Sequence, residues 1–164
     1  GSAMNAAERL ALIEQYEAGY QAIVDALAGI TPAELEAREG PGEWSPREIV
    51  HHLADSEMTS AVHLRLLVAE DSPTLVGYDQ DMFVANLFPE RPIEPSLAAF
   101  GASRAATAPI LRRLTEAQWQ RAGQHTEVGR YSVDDWLQTY AAHAHDHAGQ
   151  IARARATVAT QATG

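Results

Sequence analysis

The 164-residue chain has a formal charge of −10. A field of that sign repels phosphate backbones and anionic headgroups, so nucleic acid and membrane surfaces are excluded as expected partners. The sequence holds no cysteine, and all 12 of its basic residues are arginine, which removes disulfides, thiolate metal sites, cysteine nucleophiles and lysine Schiff bases. With 46% apolar residues it is an ordinary globular domain in size and balance, and its seven histidines, three of them between positions 143 and 147, are what remains for chemistry.

Gly1-Ser2-Ala3-Met4 reads as an expression scar before the native start, 5–158 as one domain and 159–164 as a C-terminal tail. No apolar run approaches the roughly 18 residues of a membrane span and no signal-peptide pattern follows Met4, so a cytoplasmic location is expected. A first helix is predicted from about Asn5 to Ala28, with Leu10, Ile13, Tyr16, Tyr20, Ile23 and Leu27 on its apolar stripe and Gly29 at its end. Thr31-Pro32-Ala33-Glu34 opens a short helix. Ser45-Pro46-Arg47-Glu48 then forms a capping box for a long one, from Pro46 to about Ala69. Prolines 73, 89, 92 and 95 punctuate the next stretch, which leaves room for one short helix from Tyr78 to Leu87. A third long helix is expected from Ser96 to Leu114, and a short one from Thr115 to Arg121. A fourth long helix follows Ser132, with Asp134 and Asp135 favouring its N-terminal dipole, and continues to about Val158. No stretch alternates with period two, so the class is all-α: a four-helix bundle with short satellites. Segments 31–48 and 115–135 echo one another, which suggests a duplicated helix pair.

On the last helix Trp136, Tyr140, His143, His147 and Ile151 follow one stripe. His143 and His147 are one turn apart there and can bring their nitrogens to a common ion, whereas His145 is expected to face solvent. On the second long helix His52 sits at the rim of the apolar face, His51 points further out, and Glu57 lies mid-face. A buried carboxylate needs a partner. Glu57 is therefore either salt-bridged to an arginine such as Arg104 or turned towards a site. His63 lies about 16 Å along the axis from His52 and cannot share its ion. His125 is expected in a loop, Trp119 and Trp136 in the core, and Ser45 and Ser132 as caps.

Trp44-Ser45-Pro46-Arg47-Glu48-Ile49, His52-Leu53-Ala54-Asp55-Ser56-Glu57, Tyr140-Ala141-Ala142-His143 and His147-Ala148-Gly149-Gln150-Ile151 together resemble the DinB-like superfamily, and within it the YfiT-type group of metal-dependent hydrolases and bacillithiol transferases. Glu70-Asp71-Ser72-Pro73 with Tyr78-Asp79 is similar to the same group. The resemblance implies a four-helix bundle, often a homodimer, with a divalent metal, nickel or zinc, at one mouth. It implies His52, eight residues after Trp44, and the pair His143 and His147 as the ligands.

Three functions follow as expectations. The first is hydrolysis of a small-molecule substrate at a three-His metal site with an open water position, with Glu57, or secondarily Asp146, as base. The second is transfer of a low-molecular-weight thiol, bacillithiol or mycothiol, whose sulfur would arrive with the co-substrate. The third is a non-catalytic metal or ligand binder, in which Glu57 would close the coordination shell.

Overall fold

Dense helix punctuation becomes four long helices in the computed structural model, which describes residues 4–163 and side chains through Val158. Residues 1–3 of the expected scar, Gly164, and the side chains of the expected tail lie outside the described residues. In chain order the elements are α1 (Ala6–Leu27), α2 (Pro32–Leu35), α3 (Pro46–Ala69), β1 (Thr74–Leu75), α4 (Gln80–Asn86), α5 (Glu94–Leu111), α6 (Glu116–Trp119), β2 (Ala122–His125), β3 (Gly129–Ser132) and α7 (Val133–Thr163).

Caps account for most of these boundaries. The Asn5 side chain accepts from the Glu8 amide at the start of α1, and Gly29 takes a positive φ of 67° just past its end. Thr31 with Glu34, Ser45 with Glu48 and Thr115 with Gln118 each form a reciprocal capping box. Ser132 and Asp135 exchange the same pair of bonds at the start of α7, at 2.9 and 3.1 Å. The echo between 31–48 and 115–135 is therefore structural, since each half has a capped short helix and then a capped long one.

α1 lies along α7, and α3 along α5, with α3 also meeting α7. One part of the core gathers Tyr16, Leu64, Leu67, Trp136 and Leu137, and the other Ile23, Ile49, Leu53, Phe100 and Ile151. Met4, set aside in the sequence reading, is buried against the first.

The structure departs from expectation in several places. Leu10 and Tyr20 are exposed, and the buried stripe of α1 includes Arg9 and Gly19. Tyr20 lies instead across α5, where a Cβ on Gly101 would stand 2.7 Å from its ring. α5 starts earlier, with Pro95 in its first turn, and stops at Leu111, with Pro109 inside its last turn. α7 runs on to Thr163. The Gly123–Gly129 segment is part of a three-stranded sheet, in which β1 pairs parallel with β2 and β2 antiparallel with β3. Strands of two to four residues are too short to show alternation. Glycine is needed at 123, where a Cβ would sit 2.3 Å from the Pro73 carbonyl oxygen.

At the centre of the bundle Arg104 of α5 forms a buried ion pair with Glu57 of α3, Nε to Oε2 at 3.0 Å. Its other nitrogens donate to the Tyr16 carbonyl of α1 at 2.7 Å and the Tyr140 carbonyl of α7 at 3.0 Å, while the Tyr16 hydroxyl donates to Glu57 Oε1 at 2.9 Å. Gly19 makes room for the guanidinium, since a Cβ there would stand 2.3 Å from it and 2.9 Å from Ala144 Cβ. Breaking a buried pair leaves an uncompensated charge, so Arg104→Met is expected to lower the unfolding free energy by about 3–5 kcal/mol. Gly19→Ala is expected to cost about 1–3 kcal/mol through overpacking. Urea denaturation measures both, and an unchanged midpoint for Arg104→Met would remove the pair from its central place.

Candidate metal centre

The capping box at Ser45 sets the start of α3, and with it the phase that turns His52 towards α7. His143 and His147 face it from successive turns of α7. The three rings converge: centroids are 5.3 Å apart for His52 and His143, 4.9 Å for His52 and His147, and 4.6 Å for His143 and His147. One ligand atom from each lies within 4.8 Å of the others, and this is the one such cluster of histidine, cysteine or acid among the described residues. No carboxylate belongs to it.

Each ring is held from outside the cluster. Trp44, next to the Ser45 cap, lies 4.5 Å from the His52 ring and 6.2 Å from that of His147, centroid to centroid. His147 Nδ1 lies 2.9 Å from Gln150 Oε1, one turn on. Donation to that amide oxygen fixes the tautomer and leaves Nε2 with its lone pair free, as a metal-ligating imidazole requires. Burial pushes the pKa of His52 down to about 3 and that of His143 to about 2, and lowers that of His147, so all three stay neutral near pH 7.

This donor set fits a divalent ion. His52 Nε2 and His143 Nε2 are 3.4 Å apart, the edge expected of a tetrahedron with metal–nitrogen bonds of about 2.0–2.1 Å. In the protein alone, the buried Nδ1 atoms of His52 and His143 have no hydrogen-bond partner. Three neutral imidazoles that converge on one point, with no acid among them, are a poor core and a good ligand set.

The doubled histidine on α3 resolves cleanly. His51 is buried instead of pointing outward, because the 91–96 segment covers it: its Nε2 donates to the Arg91 carbonyl at 3.1 Å and its Nδ1 accepts from the Ser96 hydroxyl at 2.7 Å. With both nitrogens used, it leaves the cluster to His52. His145 does not project into solvent either, since its Nε2 donates to the Gln15 carbonyl of α1 at 2.8 Å. His63 stands apart, its ring 5.7 Å from that of His125, which lies at the end of β2 and not in a loop. Glu57 has no exposed side-chain surface and both its oxygens are engaged by Arg104 and Tyr16. Asp146 is exposed beside His147.

Two side chains have no role assigned from the sequence: Gln150, beside His147, and Tyr78, just before α4. The i,i+3 spacing of His147 and Gln150 carries their partnership. The Tyr78 hydroxyl is buried without a hydrogen-bond partner, and desolvation, with the charge of Asp55 acting on it, pushes its pKa up to about 12. Tyr78 comes from the irregular segment before α4, and no local pattern could have placed it.

Fold and cluster together define a helical bundle that presents three imidazoles from two of its long helices. The chain belongs to the DinB superfamily, whose sequence profile matches residues 15–151. It is 30% identical to "Putative metal-dependent hydrolase OB0782" of Oceanobacillus iheyensis over 72% of this chain and 69% of that one. It is also 30% identical to "Putative metal-dependent hydrolase YfiT" of Bacillus subtilis, over 74% and 70% respectively. The solved structure of YfiT from Bacillus subtilis, described as a probable metal-dependent hydrolase with an unusual four-helix bundle topology, superposes with a TM-score of 0.90 at 24% identity, covering 97% of this chain and 92% of that one. The expected fold class is therefore met, with the small sheet as its addition.

The neutral imidazoles make the metal-free protein acid-sensitive. Below about pH 6.5 histidines of the unfolded chain take up protons that buried His52 and His143 refuse until about pH 3 and 2. Stability is therefore full above pH 6.5 and falls as pH drops through that window, by up to about 1.4 kcal/mol per pH unit for each group. Urea midpoints of the metal-free protein from pH 8 to 4 check this, and His52→Gln is expected to flatten the slope.

Proposed function

We propose that this protein is a divalent-metal-dependent hydrolase acting on a small molecule, with His52, His143 and His147 as the metal ligands. One observation carries the reading: three neutral imidazoles, one buried and two half-buried, meet in a cluster that no fourth histidine, cysteine or acid joins among the described residues. Three protein ligands and a free position are the pattern of hydrolytic metal sites, whereas a purely structural site closes its shell. Glu57, the candidate for closing it, is committed to Arg104 and Tyr16, which supports a catalytic site over a storage or structural one. A divalent ion, zinc or nickel by its imidazole ligands, supplies Lewis acidity towards the scissile bond and brings the pKa of a water towards neutrality.

The chain's own residues orient and exclude. Gln150 fixes the His147 tautomer, Trp44 shields the His52 face from water, and the Arg104–Glu57 pair holds the Tyr140 carbonyl, one turn before His143. Of the roles open to Glu57, positioning is the one its bonds support. Thiol S-transfer remains the competing chemistry in the same site. Arginines to bind the carboxylates of bacillithiol are missing from the cleft beside His147, which is lined by Gly42, Glu43, Trp44, Asp81 and Gln150. That lining favours hydrolysis over bacillithiol transfer.

Elemental analysis tests the ligand set. Wild type is expected to hold about one zinc or nickel ion per chain, and His52→Ala, His143→Ala and His147→Ala to lose it. Gln150→Leu is expected to weaken metal affinity about 10–100-fold. Full metal retention in all three histidine variants overturns the assignment. Metal-dependent turnover of esters or amides without added thiol supports hydrolysis. Conjugation of monochlorobimane that requires bacillithiol or mycothiol would replace it with thiol transfer.

A further inference from the structure

Tyr78 is held in place by its neighbours in the chain, while its own hydroxyl makes no bond. Before it, the Gly77 amide donates to Thr126 Oγ1 at 2.9 Å. After it, the Asp79 side chain accepts from the Met82 amide at 3.0 Å and caps α4. The Tyr78 ring lies against that of Phe83, centroids 4.5 Å apart, and the hydroxyl is buried without a hydrogen-bond partner. An unpaired buried hydroxyl costs free energy, so phenylalanine at this position would serve the fold better.

That hydroxyl reaches the layer next to the imidazoles. α3 and α7 run antiparallel: His52 Nε2 stands 3.4 Å from His143 Nε2, and further along the Trp136 indole donates to the Ser60 carbonyl at 2.9 Å. Ser56 and Tyr140 share the layer between these two contacts, one helical turn or about 5–6 Å from His52 and His143. The Tyr140 ring is 5.7 Å from that of His143. The Ser56 hydroxyl bears on the ionisation of both Tyr78 and Tyr140, and Tyr78 bears on that of Tyr140. Three hydroxyls therefore gather on one side of the cluster, and Trp44 covers the other, its ring 4.5 Å from that of His52. Burial and the charge of Asp55 keep the Tyr78 phenol protonated at neutral pH, as a donor.

A buried donor one turn from three converging imidazoles, with no acceptor in the protein, calls for one in a ligand. We propose that Tyr78 is a substrate-binding residue of this site, its hydroxyl donating to an acceptor oxygen, the carbonyl of an ester or amide, in the molecule held beside His52, His143 and His147. The assignment rests on the hydrolase reading for the class of molecule, whereas the free donor belongs to the fold. A hydrogen bond aimed at a carbonyl oxygen strengthens as negative charge develops there, so the contact that orients the molecule also lowers its barrier.

Tyr78→Phe removes the hydroxyl and keeps the ring against Phe83. Two probes of the zinc-loaded full-length protein separate the donor from the metal: acetohydroxamate offers oxygen acceptors, and imidazole has no acceptor left once its nitrogen is coordinated. Calorimetry is expected to show acetohydroxamate binding weakened about tenfold by Tyr78→Phe, with imidazole binding unchanged. Equal acetohydroxamate affinity in wild type and variant overturns the proposal. An equal loss for imidazole also overturns it, because the hydroxyl would then act on the metal centre itself. The metal-free protein gives a second readout: the urea midpoint of Tyr78→Phe is expected to match or exceed that of wild type, since the fold loses no bond. A clear fall in that midpoint assigns the hydroxyl a structural task and overturns the proposal. Failure of the hydrolase reading shows separately, as absent ester and amide turnover in zinc-loaded protein whose two affinities still respond as expected. Zinc missing from the loaded samples marks failure of the metal reading, and the urea midpoints still judge the hydroxyl.

Discussion

The bundle is organised around one buried guanidinium. Arg104 touches all four long helices, through Glu57 on α3, the carbonyls of Tyr16 on α1 and Tyr140 on α7, and its own place on α5. It also lies over the Tyr16 ring at 4.2 Å and the Phe100 ring at 5.1 Å. Such an ion pair adds little net stability compared with a well-packed apolar core. Its geometry is demanding, however, because each donor has one acceptor at one depth and one rotation. Sliding α3 past α7 by a turn would strand a charge, whereas leucines in the same positions would tolerate the slip. The relative placement of His52 and His143 inherits that restriction.

The imidazole cluster and the Arg104–Glu57 pair are two polar centres of the interior, beside the buried Arg9–Asp134 pair. Around Arg104 each buried donor and acceptor meets a complement, and the network is self-sufficient. Around His52 and His143 it is not, and two ring nitrogens lack partners. Burial serves both centres differently: it strengthens the Arg104–Glu57 attraction and it suppresses protonation of the histidines.

Much of this was legible in the sequence because it depends on local chemistry. Ser45-Pro46-Arg47-Glu48 marks the start of α3 to the residue, and the phase from that cap puts His52, not His51, on the bundle-facing side. The spacing of four between His143 and His147 is enough to align them on one face. The Glu57–Arg104 pairing was one of two readings open from helical phase, because an acid in mid-face demands a partner. What stayed hidden depends on residues distant in the chain. His51 looked exposed by phase alone, and only the return of the 91–96 segment encloses it. The strands carried no alternation, since β1 and β2 are joined across some 50 residues by backbone bonds that any sequence can make. Leu10 and Tyr20 had the right period for burial, but Arg9 and Gly19 took the interior of α1 to serve the ion pairs and the guanidinium.

The repeated capping pattern has an implication for how the site comes into being. The first copy of the motif delivers α3, which gives the cluster one imidazole, and the second delivers α7, which gives it two. Neither half of the chain owns a centre. The cluster is therefore a property of correct assembly between halves, and its three imidazoles meet only in molecules in which both copies have docked.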